Sequence, residues 1–193
     1  SWGGSLRAAR IGGKQLVCRR ILAAAAALCL LLGGCSNPKA EVSNLRFQFD
    51  CKADVQYPGG SVTCSFQRMG QENAEMEILS GGSQGLSWVW SGDGFTVLYQ
   101  GLAASGESCV LPKDSFAAVL VHTLDQAEKA GSLTPAHGNE FSGNAGYDYT
   151  LTADPETGQI QALNVPECGV KVKFYDYAQQ TIGTNPDADA LPD

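Results

Sequence analysis

Strict alternation of apolar and polar residues predicts a β-strand over Leu45–Tyr57. Every second residue of that segment is apolar, and each residue between them is polar. A period of two gives a strand one buried and one hydrated face, which is typical of an antiparallel sheet. Pro58-Gly59-Gly60 then predicts a turn, and Ser61–Arg68 alternates again as its hairpin partner.

Six further segments have the length and pattern of strands. They are Ala74–Leu79, Leu86–Trp90, Phe95–Gln100, Tyr147–Ala153, Gln159–Val165 and Val170–Tyr175. The second and third form a hairpin across Ser91-Gly92-Asp93-Gly94, where Asp-Gly suits a tight turn with positive φ. Gly131–Gly146 is polar and is predicted to be a long loop.

One helix is predicted, over Lys113–Ala130. Pro112 precedes it, Asp114 and Ser115 can supply capping oxygens, and Gly131 can end it. Its apolar residues recur at helical spacing and form one stripe. They are Phe116, Val119, Leu120, Leu124 and Ala127.

These elements predict an α+β fold in which a curved antiparallel sheet of about eight strands is covered by one helix. Eight strands would present an apolar face of roughly 600–700 Å². A helix of this length shields only roughly 250 Å² of it. Either a hydrophobic ligand occupies the remaining hollow, or the coiled sheet collapses on its own aromatic side chains and leaves no cavity.

The N-terminal region has the order of an export signal. Arg19 and Arg20 precede an apolar run of about twelve residues that ends in small residues, too short to span a bilayer. Leu32-Gly33-Gly34-Cys35 resembles the lipobox of bacterial lipoproteins, which implies acylation of Cys35 and removal of residues 1–34. An ordinary signal peptide or an uncleaved anchor are the alternatives.

The remaining chain would divide into three parts: a lipidated tether over residues 35–44, a domain over 45–177, and a disordered acidic tail over 178–193. Without residues 1–34, eight basic and twenty acidic residues remain, a net charge near −12. Such a surface repels phosphate backbones, so nucleic-acid binding is not expected. We expect the protein on the extracytoplasmic face of the cell membrane, held there through acylated Cys35.

Four cysteines fall in the predicted exported domain, namely Cys51, Cys64, Cys109 and Cys168. An even number in an exported domain favours two disulfides. Cys51 and Cys64 lie on the apolar face of neighbouring predicted strands, so we expect them to pair, which leaves Cys109 with Cys168.

No motif predicts catalysis, a metal site or a cofactor. Gly81-Gly82-Ser83-Gln84-Gly85 matches G-x-S-x-G, but a nucleophile elbow needs a strand before it and a helix after it, whereas a strand-like run follows here. His122 and His137 are the only histidines and do not specify a metal site by themselves. We therefore expect no enzyme activity.

The order of strands, covering helix and further strands resembles the LolA-like half-barrel of periplasmic lipoprotein carriers and of the sigma-factor regulator RseB. Local motifs resemble a small lipoprotein branch of that group. They are Gly85-Leu86-Ser87-Trp88-Val89-Trp90, Val97-Leu98-Tyr99-Gln100-Gly101-Leu102, Leu111-Pro112, Asp154-Pro155-Glu156-Thr157-Gly158 and Val165-Pro166. The resemblance implies a concave apolar face that accepts acyl chains or a lipidated partner.

The sequence thus predicts non-enzymatic binding of a hydrophobic ligand on the concave face of the sheet. The predicted contacts are Phe47, Phe49, Val62, Phe66, Trp88, Trp90, Val97 and Tyr99 from the sheet, and Phe116, Leu120 and Leu124 from the helix. The alternative is a structural or sensory envelope protein that acts through protein–protein contacts and has no lipid pocket.

Overall fold

The computed structural model describes residues 40–81, 83–104 and 115–179. The predicted signal region with Cys35, the loop residue Cys109 and nearly all of the predicted acidic tail lie outside these ranges. The predictions made for them therefore stay predictions.

The described residues form eleven β-strands, and the longest of them alternate burial as the sequence pattern indicates. They are β1 Phe49–Tyr57, β2 Gly60–Gly70, β3 Asn73–Ser80, β4 Ser87–Trp90, β5 Phe95–Tyr99, β6 Leu102–Ala104, β7 Thr134–Pro135, β8 Glu140–Asn144, β9 Asp148–Ala153, β10 Ile160–Val165 and β11 Val170–Tyr175. One α-helix, α1, covers Phe116–Glu128.

All eleven strands of the described chain belong to one antiparallel sheet, in the order β6-β5-β4-β3-β2-β1-β11-β10-β9-β8-β7. β1 to β6 step outward from the centre to one edge, and β7 to β11 step inward from the other edge. β11 then pairs with β1 in the middle, for example Val172 with Val55. Because β6 and β7 have one neighbour each, the sheet is open, and α1 belongs to the connection between its two edges.

Helix α1 lies against the inner face of the curved sheet. Ser115 is its N-cap, and the Ser115 hydroxyl accepts a hydrogen bond from the backbone N–H of Ala118 at 3.3 Å. Nine of the thirteen helical residues are buried. The predicted helix is confirmed from Phe116 to Glu128, and the two residues before Ser115 lie outside the described chain.

The prediction of about eight strands is too low. All eight predicted strands are present, but β6, β7 and β8 add three short ones. β6 follows β5 through Gln100 and Gly101, whose φ values of 50° and 81° match a type I′ hairpin turn. β7 and β8 lie within the predicted loop Gly131–Gly146.

The first strand of the structure begins four residues later than the sequence pattern predicts. Val42–Asn44 forms a 3₁₀ turn, and β1 begins only at Phe49. The segment between them pairs with the β9–β10 connection instead of extending β1. The backbone N–H of Arg46 donates to the carbonyl of Gly158 at 2.9 Å, and Arg46 forms an isolated parallel bridge with Gln159. The β4–β5 turn also differs in detail, since Gly92, with φ 83°, takes the positive angle expected at Gly94.

Candidate ligand-binding site

The inner face of the sheet and α1 form one continuous apolar core. Phe49 contacts Phe66 edge to face at 5.8 Å and Phe174 at 5.4 Å between ring centroids. Small residues of the same face, such as Ala53 and Ala153, are also fully buried. Most of the predicted contacts therefore pack against each other. These are Phe49, Val62, Phe66, Trp88, Trp90, Leu120 and Leu124.

The hollow expected from a flat sheet is much smaller in the folded chain. A flat sheet would leave more than half of its apolar face beyond the reach of one helix, whereas the described sheet curls around α1. Leu133 and Tyr147, from the segment after the helix, pack onto the same core. Along the middle of the sheet, the protein's own side chains occupy the space proposed for a ligand.

At the β4–β6 end the inner face is incompletely covered. Leu102 is 75% exposed and Tyr99 is 41% exposed, and the two residues are register partners on the hairpin. The side chains of both residues point to the same inner face as that of Val97, which is half-buried and lies opposite Trp88. Apolar surface thus continues from the core to the free edge of the sheet.

Phe116 connects this exposed hairpin region to the helix. Its ring lies 4.8 Å from that of Tyr57 and meets Trp88 edge to face at 5.6 Å. All three are aromatic, and Phe116 and Tyr57 are half-buried. We call this surface the apolar rim, and it consists of Tyr57, Leu86, Trp88, Val97, Tyr99, Leu102 and Phe116.

The structure brings four of the predicted contacts to the apolar rim, namely Trp88, Val97, Tyr99 and Phe116. Leu86, Leu102 and Tyr57 join them although the sequence did not single them out as contacts. Leu102 follows the hairpin turn that the sequence pattern did not predict. Phe47 is set apart from the others, because its ring lies 5.7 Å beneath the guanidinium of Arg68.

A buried ion cluster fastens α1 to the sheet. Arg68 on β2 is 1% exposed, and its guanidinium donates to Asp125 and to Glu128, each at 2.7 Å. It also donates to the carbonyl of Phe47 at 2.8 Å. The indole N–H of Trp90 donates to the other oxygen of Asp125 at 2.8 Å. The cluster therefore fixes the C-terminal half of the helix.

Sequence reasoning missed this cluster, although the strand pattern held a signal for it. Arg68 has the inward parity of Phe66, so it interrupts an otherwise apolar face. An arginine at such a position requires buried acceptors. Asp125 could have been identified as one because it lies beside Leu124 on the helix, next to the apolar stripe.

The predicted disulfide between Cys51 and Cys64 does not form, and both thiols are free and buried. The register places Cys51 opposite Phe66 and Cys64 opposite Ala53, so the two cysteines are diagonal neighbours. Diagonal pairs lie about 7–8 Å apart, beyond the reach of a disulfide. Burial raises the pKa of each thiol to about 12, and the mutual proximity of the two adds to the shift at Cys51. The proposed partner of Cys168 lies outside the described chain.

The residues considered for catalysis are dispersed. Ser83 lies in an exposed turn, and the exposed His122 ring packs edge to face against Trp90 at 4.8 Å. In the described part of the chain no group of three or more His, Cys, Asp or Glu side chains could hold a metal ion. Among the same residues, no helix has the length and apolar character needed to cross a membrane.

Comparison with known proteins found similarity to solved structures alone. No family model matches the sequence, and no curated protein matches it. The chain is similar to the crystal structure of a LolA superfamily protein from Nitrosomonas europaea, with a TM-score of 0.33 and 10% identity. The match covers 67% of this chain and 84% of that chain.

Proposed function

We propose that this protein is a lipid-anchored extracytoplasmic protein that binds a hydrophobic ligand, without catalysis, at the apolar rim. The ligand would be an acyl chain, carried either by a lipid or by a lipidated protein. The observation that supports this is the exposure of Leu102 and Tyr99 on the same face as the buried core. On β2, β3 and β11 the apolar residues of that face are buried.

The position of the apolar rim favours an elongated apolar ligand. β6 is the last strand on its side of the described sheet, so an acyl chain can approach from that side without separating other strands. Trp88 and Phe116 lie at the inner limit of the rim, where a methylene chain would contact both rings. Burying one leucine-sized side chain contributes about 1.5–3 kcal/mol. A ligand that covers Leu102 and the exposed part of Tyr99 would therefore gain binding free energy from both side chains.

The remaining predicted contacts lie deeper and would be reached only if α1 moved away from the sheet. They are Phe49, Val62, Phe66, Trp90, Leu120 and Leu124. The Arg68 cluster opposes such a movement, because separating the helix would leave Arg68, Asp125 and Glu128 without their partners. We therefore propose a shallow site at the rim, with Phe47 outside it.

Acylation at Cys35 would hold this site close to a membrane. The tether over residues 35–44 has a reach on the order of 16 Å. The net charge near −12 disfavours anionic headgroups, so recognition through the apolar tail is the consistent mode. Treatment of cells with a labelled palmitate, followed by mass analysis of the mature N-terminus, tests the anchor independently of the rim.

Titration with palmitate, followed through tryptophan emission, tests the rim. Trp88 lies next to the site, so we expect a saturable change in emission for the full chain. Replacing Tyr99 and Leu102 with serine should weaken binding by about tenfold or more, since apolar contacts of this size are lost.

Leu98→Ser is the matched control. Leu98 lies on the same hairpin and is about as exposed as Tyr99, at 36%, but its side chain points to the outer face. Its replacement should leave the titration unchanged. Equal losses in the two variants, or no response of the wild type to palmitate or to phospholipid, would reject the rim as a lipid site.

A second candidate function is protein–protein contact through the same edge. The packed core favours it, and so does the edge of β6, which has no partner strand on its outer side within the described residues, since an exposed apolar strand edge can accept a strand from another chain. A photoreactive residue introduced at Leu102 and activated in cells distinguishes the two functions. Cross-linking to a protein with no palmitate response supports the second candidate.

A further inference from the structure

One end of strands β1 to β6, the end that holds the apolar rim, has no charged side chain among the described residues. Residues 55–67 and 78–104 contain a single charged residue between them, Asp93. The chain as a whole has 17% charged residues and a net charge of −7, so segments of this length would ordinarily contain several. The register of the strands shows where this uncharged surface lies.

Three consecutive turns form the surface. They are Pro58-Gly59 between β1 and β2, residues 81 and 83–86 between β3 and β4, and Gln100-Gly101 between β5 and β6. Thr63 near the start of β2 pairs with Ser80 at the end of β3. Ser87 at the start of β4 pairs with Leu98, close to the last turn. These pairs place the three turns side by side, and we call them, together with Leu98–Leu102, the uncharged end.

The opposite end of the same strands is charged. Glu72 lies in the β2–β3 turn, and Asp93 lies in the β4–β5 turn. Charge also resumes beside the uncharged end, at Glu167 in the β10–β11 connection, whose Gly169 lies next to Pro58. The lack of charge is therefore confined to one local surface and is not a property of the whole sheet.

Apolar side chains at the uncharged end are exposed on both faces of one hairpin. Leu102 and Tyr99 are the exposed residues of the inner face, and Leu98 is exposed on the outer face. A folded protein that docks on one face leaves the other face in water, whereas a lipid layer surrounds the end of a hairpin on both faces. The two-sided exposure therefore favours a lipid surface as the partner.

The aromatic residues at this end are typical of membrane–water interfaces. Tyr57, Trp88 and Tyr99 belong to the apolar rim, and tyrosine and tryptophan are enriched where a bilayer meets water because each ring has an apolar body and a polar tip. An uncharged surface avoids the cost of moving a charge toward hydrocarbon. Since it carries no basic residue to attract anionic lipids, lipids with zwitterionic headgroups are the matching partner.

The backbone limits how deeply this end can enter a bilayer. Within the described residues β6 has no partner strand on its outer side, so the backbone groups along that side need water or headgroups as hydrogen-bond partners. The side-chain amide of Gln100 donates to the Tyr99 hydroxyl at 3.2 Å, and both groups can also bind headgroups. Contact at headgroup depth satisfies these polar groups while it covers Leu98 and Leu102.

From these observations we infer that the uncharged end is a membrane-contact surface that lies in the headgroup region of a zwitterionic bilayer. This contact would bring the apolar rim to the source of its ligand, so that an acyl chain could pass from the bilayer to Trp88 and Phe116 with little exposure to water. The inference rests on the proposed anchorage at a membrane, but it does not require that the rim bind an acyl chain.

Hydrogen exchange of the full chain, measured by mass spectrometry with and without phosphatidylcholine vesicles, tests this contact. Flotation of the vesicles first reports whether the chain is attached to them. We expect exchange to slow by about threefold or more in peptides that cover residues 81–86 and 98–104, because lipid would restrict access of water to these amides. Peptides that cover Glu72 and Asp93, at the opposite end, should exchange at an unchanged rate.

Gln84→Glu and Asn73→Asp form a matched pair of variants. Each adds one negative charge at an exposed position, Gln84 at the uncharged end and Asn73 at the opposite end. Gln84→Glu should remove most of the slowing, since a charge is costly near hydrocarbon, and Asn73→Asp should leave the slowing as in the wild type. Circular dichroism checks the fold of both. Leu98→Ser is a second test variant, which should reduce the slowing although it leaves the palmitate titration unchanged.

The outcomes separate this inference from the proposed function of the rim. A chain that floats with the vesicles but shows no slowed exchange at the uncharged end, or equal losses in Gln84→Glu and Asn73→Asp, would overturn the membrane contact. A chain that does not float would contradict both the anchor and the contact. Slowed exchange without any response to palmitate would support the contact and reject the rim as a ligand site.

Discussion

Arg68 is the most consequential single residue outside the apolar core. Removing it leaves the carboxylates of the buried Asp125 and the half-buried Glu128 without a cation, and it takes a donor from the carbonyl of Phe47. Arg68→Met keeps most of the volume and should lower the free energy of unfolding by about 3–5 kcal/mol, the cost of breaking a buried ion pair. Urea denaturation followed by circular dichroism measures this loss.

Lys52→Met is the control for Arg68→Met, because it changes the net charge equally. Lys52 forms an exposed ion pair with Asp176 at 3.0 Å. Exposed pairs contribute little, so the urea midpoint should stay near that of the wild type. Equal destabilisation by the two substitutions would contradict the role given to the buried cluster.

The two buried thiols should be slow to react in the folded protein. Burial holds the pKa of Cys51 and of Cys64 near 12, so thiolate is scarce near pH 8. Peptide-resolved labelling with iodoacetamide should modify them much faster in urea than in buffer. Recovery of a Cys51–Cys64 cross-linked peptide from native protein would show that the register described above is wrong.

At the scale of elements, the β9–β10 turn is fixed by its contact with the N-terminal segment. Gly158 has φ 71°, and a Cβ there would collide with the backbone oxygen of Asn44. Gly146 has a similar φ of 89° but open space around it. Gly158→Ala should therefore cost more than about 3 kcal/mol, and Gly146→Ala only about 1 kcal/mol. Thermal unfolding of both variants checks the difference, and equal melting temperatures would contradict it.

Long strands with strict alternation could be predicted from the sequence, and short ones could not. β1, β2 and β11 each place buried residues at every second position, which is a strong signal. β6 is Leu-Ala-Ala and β7 only two residues long, so neither carries a period. β8 contains one buried residue, Phe141, among polar residues and glycine. These strands form because their neighbours supply an edge to pair with.

At the scale of the whole molecule, the buried ionisable groups predict sensitivity to alkali. The folded state raises the pKa of Cys51 and Cys64 from 9.0 to about 12, and that of Tyr149 from 10.0 to about 12. Since the folded state favours the protonated forms, their contribution is complete below pH 9 and is lost as the pH rises toward 12. Unfolding free energy measured across this interval should fall.

Tyr149→Phe provides the comparison for that pH dependence. It removes one group that ionises more readily in the unfolded chain, so stability should fall less steeply above pH 10 than in the wild type. A wild-type stability that is constant from pH 9 to pH 11 would contradict the burial of these groups.

The face that carries the apolar rim could be predicted from the sequence, and the extent to which that face is covered could not. Alternation identified the inner face, and of the predicted contacts Trp88, Val97, Tyr99 and Phe116 lie together at one end of it. The assumption of a flat sheet overstated the uncovered area, because it left out the curl of the sheet and the packing of Leu133 and Tyr147 onto the core. The position of Leu102 in the apolar rim and that of Arg68 in the buried ion cluster could be assigned only from the register of the folded strands.

Photo-cross-linking with a diazirine-bearing palmitate tests the central claim most directly. After irradiation of the full chain and peptide mapping, we expect the label on Phe95–Ala104 and around Phe116, with competition by unlabelled palmitate. Label confined to the outer face of the sheet, or no competed label at all, would contradict the binding of an acyl chain at the apolar rim.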